Sequence, residues 1–375
     1  MSFSDIVCQD AAIAILQKAY ASGKWPHAYV LAGREGVGRH KTAMAWARLL
    51  LCGDPKTTST SMGPVHDGCG SCRSCTMLEA GSHPDFHLVY KELREFTEEG
   101  QGKGPPVELG IDVIREFLVA KVSARPSLST RRVFVVSEAE KLNIPSQNAL
   151  LKVLEEPPAY CSILLLCTRL DRLLPTIRSR AQILRFGPVD RQIIVDRLKG
   201  MGLDVQAARY LAALAQGSLG QAYTLGSLQL AGANLVATKT DLVKALAEGS
   251  LADGLTLAQT CVDRAKAIAD QWAQTDQATS RPDLNRRAMK LVLWMVLLAV
   301  DDAVKLSLVP QDHLANADQV ALIEQLTRRL GSDEAAERIN DGFEALRWIE
   351  ASVGERLVFE RLLLRILGPG IMTGL

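Results

Sequence analysis

A chain of 375 residues is too long for one ordinary domain and leaves room for two or three. Lys plus Arg total 43 and Asp plus Glu total 42, a balance of +1 that excludes a protein coating nucleic acid by bulk charge while allowing a local basic groove. Hydrophobic residues at 47% and charged residues at 23% exclude a disordered, collagenous or disulfide-stapled chain, and aromatics at only 5% tilt the expectation toward helix.

The opening residues Met1 to Asp5 are polar and show no secretory pattern. The longest apolar run, Leu291 to Val300, is half of what a bilayer span of about 20 residues needs. The expectation is a cytoplasmic protein without a membrane partner. In a reducing compartment, clustered cysteines point to metal rather than to disulfides.

Taken in chain order, Ala11–Ala21 has helical spacing, Ala28–Leu31 reads as a buried strand ending at Gly33, and Lys41–Leu51 reads as helix. A Gly- and Cys-rich segment follows from Gly53 to Cys75. His87–Tyr90 reads as strand, Glu92–Pro106 as a surface loop, Ile111–Val122 as helix and Val133–Val136 as strand. A helix from Ile144 to Glu156 is stopped by Pro157-Pro158, and Ser162–Cys167 is a further strand. Short strands alternating with helices imply a parallel α/β sheet covered on both faces.

After Phe186-Gly187-Pro188 the strand signals stop. Helical periods run from Arg191 to Leu225 with a break at Gly217–Gly220, residues 226–240 read as a connector, and 240–375 reads as helices. The expected domains are 1–187, α/β with a cysteine module at 52–75; 188–230, small and helical; and 240–375, helical.

Gly33-Arg34-Glu35-Gly36-Val37-Gly38-Arg39-His40 lies between a strand and a helix, where backbone N–H groups and the helix dipole favour phosphate. A working loop reads G-x-x-x-x-G-K-[ST]. Gly33 and Gly38 keep that spacing, but Arg39 stands for Lys and His40 for the hydroxyl residue that holds Mg²⁺. Lys41-Thr42 comes two positions late, about 200° around the helix. The second nucleotide element, an apolar strand ending in acids, has Ser137 where a metal-organising Asp is expected and keeps Glu138 as a base. A degenerate nucleotide site that does not hydrolyse ATP is expected, and ATP binding is itself in doubt.

Cys52, Cys69, Cys72 and Cys75 supply four thiolates, the number that fills a tetrahedral structural Zn²⁺ site and leaves no open position for catalysis. An iron–sulfur cluster and free buried cysteines are the alternatives. Cys8, Cys161, Cys167 and Cys261 lie in apolar patterns and are expected in the core.

The chain resembles the delta prime subunits of the bacterial DNA polymerase III clamp loader, in the AAA+ superfamily. The likeness rests on Phe3–Gln9, His27–Leu31 leading into the phosphate loop, the cysteine module, Ser82-His83-Pro84-Asp85, Asn148–Pro158 and Pro175–Arg180. Gly217-Ser218-Leu219-Gly220 resembles a motif in which the ATP-hydrolysing gamma/tau relatives place a sensing Arg, and here that position is Gly220. Arg39, His40, Ser137 and Gly220 thus each lack an ATP-handling group, while Arg180 is retained.

The resemblance implies an AAA+ parallel-sheet domain with a zinc module, a small helical lid domain and a C-terminal helical collar domain. It implies a hetero-pentameric ring with gamma/tau and delta subunits that loads a sliding clamp onto primer–template DNA in DNA replication. In that ring this chain is a non-hydrolysing component of a DNA-directed DNA polymerase (nucleotidyltransferase) holoenzyme. Arg180 becomes an arginine finger in a neighbour's site, a role typically worth 10³–10⁵ in rate. The alternatives are an active gamma/tau-like ATPase and a zinc-stabilised adaptor outside replication.

Overall fold

The computed structural model describes residues 2–60, 63–100, 106–276, 279–351 and 353–368. Residues 101–105 of the expected surface loop and 369–375 of the expected C-terminal domain lie outside the described residues. The chain forms two compact units, Met1–Val189 with Ser218–Gly220, and Asp190–Gly217 with Gln221–Leu375.

In the first unit, α1 (Asp10–Ser22) leads into β1 (Ala28–Ala32), and the Gly-rich loop joins β1 to α2 (Arg39–Leu51). An antiparallel ribbon, β2 (Lys56–Thr60) and β3 (Gly63–Asp67), follows, then α3 (Arg73–Glu79) and β4 (Phe86–Val89). The helix expected over 111–122 is α4 (Ile111–Ile114), continued by a π-turn (Arg115–Val119) and a last turn (Ala120–Val122). β5 (Arg132–Val136), α5 (Ile144–Glu155), β6 (Cys161–Cys167), α6 (Pro175–Arg180) and β7 (Gln182–Arg185) complete the unit.

The main sheet has the order β4-β5-β6-β1-β7, and every pairing in it is parallel. Alternating residues supply its two covered faces. Tyr29, Leu31, Val133, Val135, Leu164 and Leu166 pack with α1 and α2, while Val30, Phe134, Val136, Ile163 and Leu165 pack with α4 and α5. The expected α/β sheet is therefore present, as is the cysteine cluster.

The sequence reading placed no elements at β2–β3 or at β7. The ribbon reads Lys-Thr-Thr-Ser-Thr and Gly-Pro-Val-His-Asp, which carry no apolar alternation, and β7 is only four residues long.

Beyond β7 the described residues form helices and the turns between them, with no strand: α7 (Arg191–Gly200), α8 (Val205–Leu214), α9 (Leu219–Leu230), α10 (Leu235–Glu248), α11 (Gly254–Thr275), α12 (Arg281–Lys305), α13 (Val320–Leu330), α14 (Ser332–Glu350) and α15 (Glu355–Leu367). The stretch 226–240, read as a connector, is helix on both sides of a short break. Gly226 is part of the reason it reads as loop. A Cβ there would meet Leu198 Cδ2 at 2.9 Å, so close helix packing, not chain flexibility, selects the glycine. Leu291–Val300 lies in the middle of α12 and is buried except at Trp294. No described helix is long and apolar enough to cross a membrane.

Candidate nucleotide loop, cysteine cluster and exposed arginine

The ends of β1, β5 and β6 bring the expected nucleotide residues to one edge of the sheet, where open α/β folds bind ligands. Gly33 starts the loop by donating its N–H to the Cys167 carbonyl at 3.1 Å. A Cβ on Gly33 would meet the Phe186 carbonyl oxygen at 2.7 Å, so this turn admits only glycine. Gly36 and Gly38 have φ of 75° and 109°, the left-handed region in which glycine carries no steric cost. Gln9 exchanges two hydrogen bonds with the Gly187 backbone, at 2.9 and 3.1 Å, and its Cγ lies beside Gly38. The opening box of the sequence thereby fastens the loop to the exit of β7.

The first N–H groups of α2 have no intrahelical acceptor, an arrangement that favours an anion. The side chains around them are turned elsewhere. Arg39 turns its Nε back onto the Arg34 carbonyl at 3.2 Å, and Glu140 and Glu35 are close enough to act on its charge. His40 instead lines a cavity of about 610 Å³ with Met44, Leu78 and His87. Thr42, the hydroxyl that comes two positions late, is fully buried and donates to the Gly38 carbonyl at 3.0 Å. Gly220 donates its N–H to the Gly36 carbonyl at 2.9 Å, and a Cβ on Gly220 would meet the Gly36 Cα at 2.8 Å.

Ser137 follows β5 directly and gives its N–H to the Val89 carbonyl at 2.8 Å. Glu138 adopts a left-handed φ of 51°, unusual for a residue with a side chain. Its carboxylate pairs with Lys91 at 3.4 Å and with Lys141. Burial pushes its pKa up, but the two lysines outweigh burial and hold it below the usual value. A carboxylate held ionised by two ammonium groups is a weakened general base. Two partners near this edge were not legible in the sequence: Lys91, which is distant from Glu138 along the chain, and Glu140, which accepts from the Thr168 N–H at 3.1 Å and hydroxyl at 2.5 Å at the end of β6.

The four cysteine sulfurs lie within 4.8 Å of one another. Cys52 caps the C-terminus of α2, Cys69 and Cys72 lie on the turn after β3, and Cys75 is on α3. The Sγ separations are 3.5 Å for Cys52–Cys69, 3.8 Å for Cys52–Cys72 and 4.0 Å for Cys69–Cys75. Bridged cysteines would be about 2.05 Å apart. A tetrahedron with metal–sulfur bonds of about 2.3 Å has edges of about 3.8 Å, so the thiolates fit a structural metal.

Backbone N–H groups already point at the sulfurs: Cys69 N to Cys52 Sγ at 3.3 Å, and Cys72 N to Cys69 Sγ at 3.3 Å. Such donors, from Ser71 and Cys72, draw the Cys69 thiol down to about 6. His66, His83 and His87 are engaged elsewhere: His66 with Thr57, His83 with Ser74, and His87 stacked on Phe134. Cys161, Cys167 and Cys261 are in the core as expected, whereas Cys8 is only half-buried, at a left-handed φ of 59°.

The module is tied down by the Ser82–Asp85 motif. Asp85, wholly buried, accepts from the N–H groups of Ser127, Leu128 and Ser129, each at 2.8 Å, and from Arg132 at 3.4 Å. His83 bonds Ser74 at 2.6 Å, and Ser74 and Ser129 both donate to the Leu51 carbonyl, one residue before Cys52.

Arg180 ends α6, with 37% of its side chain exposed. Its guanidinium meets Glu155 Oε1 at 2.9 Å and the Thr176 carbonyl at 3.2 Å. In the same helix Arg178 has a buried Nε without a hydrogen-bond partner.

Residues 8–190 match the family described as DNA polymerase III, delta subunit. Over 211 residues the chain is 33% identical to DNA polymerase III subunit delta' of Escherichia coli K12, covering 56% of this chain and 57% of that protein. It is 37% identical over 154 residues to the delta' subunit of Pseudomonas aeruginosa, 41% of each chain. A 31% identity over 196 residues relates it to DNA polymerase III subunit tau of Bacillus subtilis, covering 52% of this chain and 31% of that one. The matched stretch thus spans about half the length of the delta' relatives or less. Residues 8–190 of the chain are thus similar to clamp-loader subunits of the delta prime kind.

Proposed function

We propose that this chain is a non-hydrolysing delta prime-like member of a DNA polymerase III clamp loader, which serves the ATP site of a neighbouring gamma/tau subunit through Arg180. The observation that carries this reading is the contrast between its own loop and its arginine. Arg39 is turned back onto the Arg34 carbonyl, whereas Arg180 stands at the surface on a short helix. The ionised Glu138, held by Lys91 and Lys141, and the missing hydroxyl at His40 argue the same way.

In this account Arg180 stabilises charge on the transferred phosphoryl group, a purely electrostatic contribution. Residues 1–187 form the AAA+ arm, 188–230 the lid and 240–375 the collar of a hetero-pentameric ring with gamma/tau and delta. The ring opens a sliding clamp and holds primer–template DNA by phosphate contacts, which position without reading sequence. Cys52, Cys69, Cys72 and Cys75 hold Zn²⁺, which supplies folding energy and no catalytic step.

A second reading, an active gamma/tau-like ATPase, is favoured by the likeness to the tau subunit. ATP turnover of the purified chain separates the two. The proposal expects no turnover; hydrolysis that disappears in Glu138→Ala would establish the motor instead.

A further inference from the structure

The run from Asn148 to Pro158 is only partly accounted for by packing. Leu150, Val153 and Leu154 are buried, and Pro157-Pro158 follow the end of α5. Neither fact explains the consecutive acids Glu155 and Glu156. A carboxylate at the C-terminus of a helix faces the negative end of the helix dipole, an unfavourable placement, so Glu155 sits there at a cost to stability.

Its partner offsets that cost. Arg180 is the last residue of α6, and the two helix ends meet at the 2.9 Å Glu155–Arg180 bond. The Thr176 carbonyl takes a second edge of the same planar fork at 3.2 Å. Of the five donors of a guanidinium, these bonds use two and leave three for another acceptor.

We infer that Glu155 is a positioning residue for Arg180: it fixes the guanidinium before the neighbour's phosphoryl group has to be met. The inference rests on the arginine-finger reading above. A free Arg side chain carries large rotamer entropy, and ordering it during the reaction subtracts from what the finger contributes. A fork already held at two edges loses less. The ion pair is exposed in the isolated chain, with 51% of the Glu155 side chain accessible, so its effect is modest.

The test is ATP turnover of the reconstituted clamp loader, stimulated by clamp and primed DNA, with this chain as wild type, Glu155→Ala, Glu155→Gln, Arg180→Ala or Glu155→Ala/Arg180→Ala. Gel filtration establishes that each ring assembles, and the Glu155→Gln form stands in if Glu155→Ala does not. Glu155→Ala is expected to lower kcat roughly two- to fivefold with KM for ATP unchanged, the scale of an exposed ion pair. Glu155→Gln, which keeps an acceptor, recovers part of the loss. The double variant is no slower than Arg180→Ala alone, because Glu155 acts only through Arg180.

Wild-type turnover in Arg180→Ala would remove the finger reading and this inference together. A strongly impaired Arg180→Ala beside an unimpaired Glu155→Ala would leave the finger standing and overturn the positioning role. A faster Glu155→Ala would overturn it too, making Glu155 a latch that holds the arginine back. Additive losses in the double variant would show that Glu155 acts elsewhere.

Discussion

Replacing Asp85 with Asn keeps the shape of a fully buried side chain and removes its charge. Oδ1 accepts from the Ser127 N–H and from Arg132, while Oδ2 accepts from the N–H groups of Leu128 and Ser129. Whichever way the new amide lies, its NH₂ faces donors where an oxygen used to accept. Removing one partner of a buried ion pair costs about 3–5 kcal/mol. Arg132 retains the carbonyls of Lys121 and Arg125 at 2.8 and 3.0 Å, which places Asp85→Asn near the lower end, at about 3 kcal/mol.

Burial raises the Asp85 pKa, but the three backbone donors and Arg132 outweigh it and leave the group below its ordinary value. Its stabilisation is therefore present above the unfolded value of about 3.9 and is lost as pH falls through the folded one. The gap between wild type and Asp85→Asn should accordingly close in acid. Because the chain has two units, a single melting curve is a poor gauge. Amide exchange at 127–129, which reports local opening, is the suitable assay. Amides at 127–129 that stay protected to within about 1 kcal/mol of wild type at pH 7 would refute this accounting.

Metal analysis of the purified chain should find one Zn²⁺ per molecule, and Cys69→Ser or a strong chelator should remove it and raise amide exchange across 53–79; unchanged protection after metal loss would show the module holds itself together. His87, lowered to about 4 by burial and by Lys121 and Arg132, binds its proton less readily folded than unfolded. Stability should therefore fall by up to about 1.4 kcal/mol per pH unit between roughly 6.5 and 4, and His87→Phe, which preserves the stack on Phe134, should flatten that slope. If His87→Phe titrates like wild type, the imidazole is not the group responsible. Gly220→Ala forces a Cβ to within 2.8 Å of the Gly36 Cα and should destabilise the loop contact by about 1–3 kcal/mol, read as faster exchange of the residue 220 amide. An unchanged rate there would mean that the loop yields without strain.

Strands β1, β5 and β6 were legible because they are buried on both faces and read as unbroken apolar runs. The helix after the glycine loop and the one stopped by Pro157 were legible from periodicity and breakers. The β2–β3 ribbon was not, since its residues suit any exposed loop and only the pairing, from Lys56 opposite Asp67 to Thr60 opposite Gly63, makes it a strand pair. Helices on both sides of 231–234 were hidden by the small and polar residues of that stretch, of which Gly226 is closely packed.

The four cysteines were legible as a set because three of them sit at i, i+3 and i+6. The glycine loop was legible as a strand-to-helix turn from Gly33, Gly36 and Gly38, but the bond from Arg39 back to Arg34 was not, and neither were the Lys91 partner of Glu138 and the Glu155 partner of Arg180. Lys91 reaches Glu138 from beyond β4, and Glu155 reaches Arg180 from a different helix. Contacts of that kind depend on the tertiary fold and leave no local pattern.

The central claim is that this chain contributes an arginine to a neighbour and no turnover of its own. ATP hydrolysis by the clamp loader containing this chain, as wild type or as Arg180→Ala, with the isolated chain as blank, tests it most directly. The account predicts an inactive blank and a loss of at least about 10³-fold in turnover at the site that Arg180 serves. An active blank, or an Arg180→Ala loader that hydrolyses ATP at the wild-type rate, would contradict it.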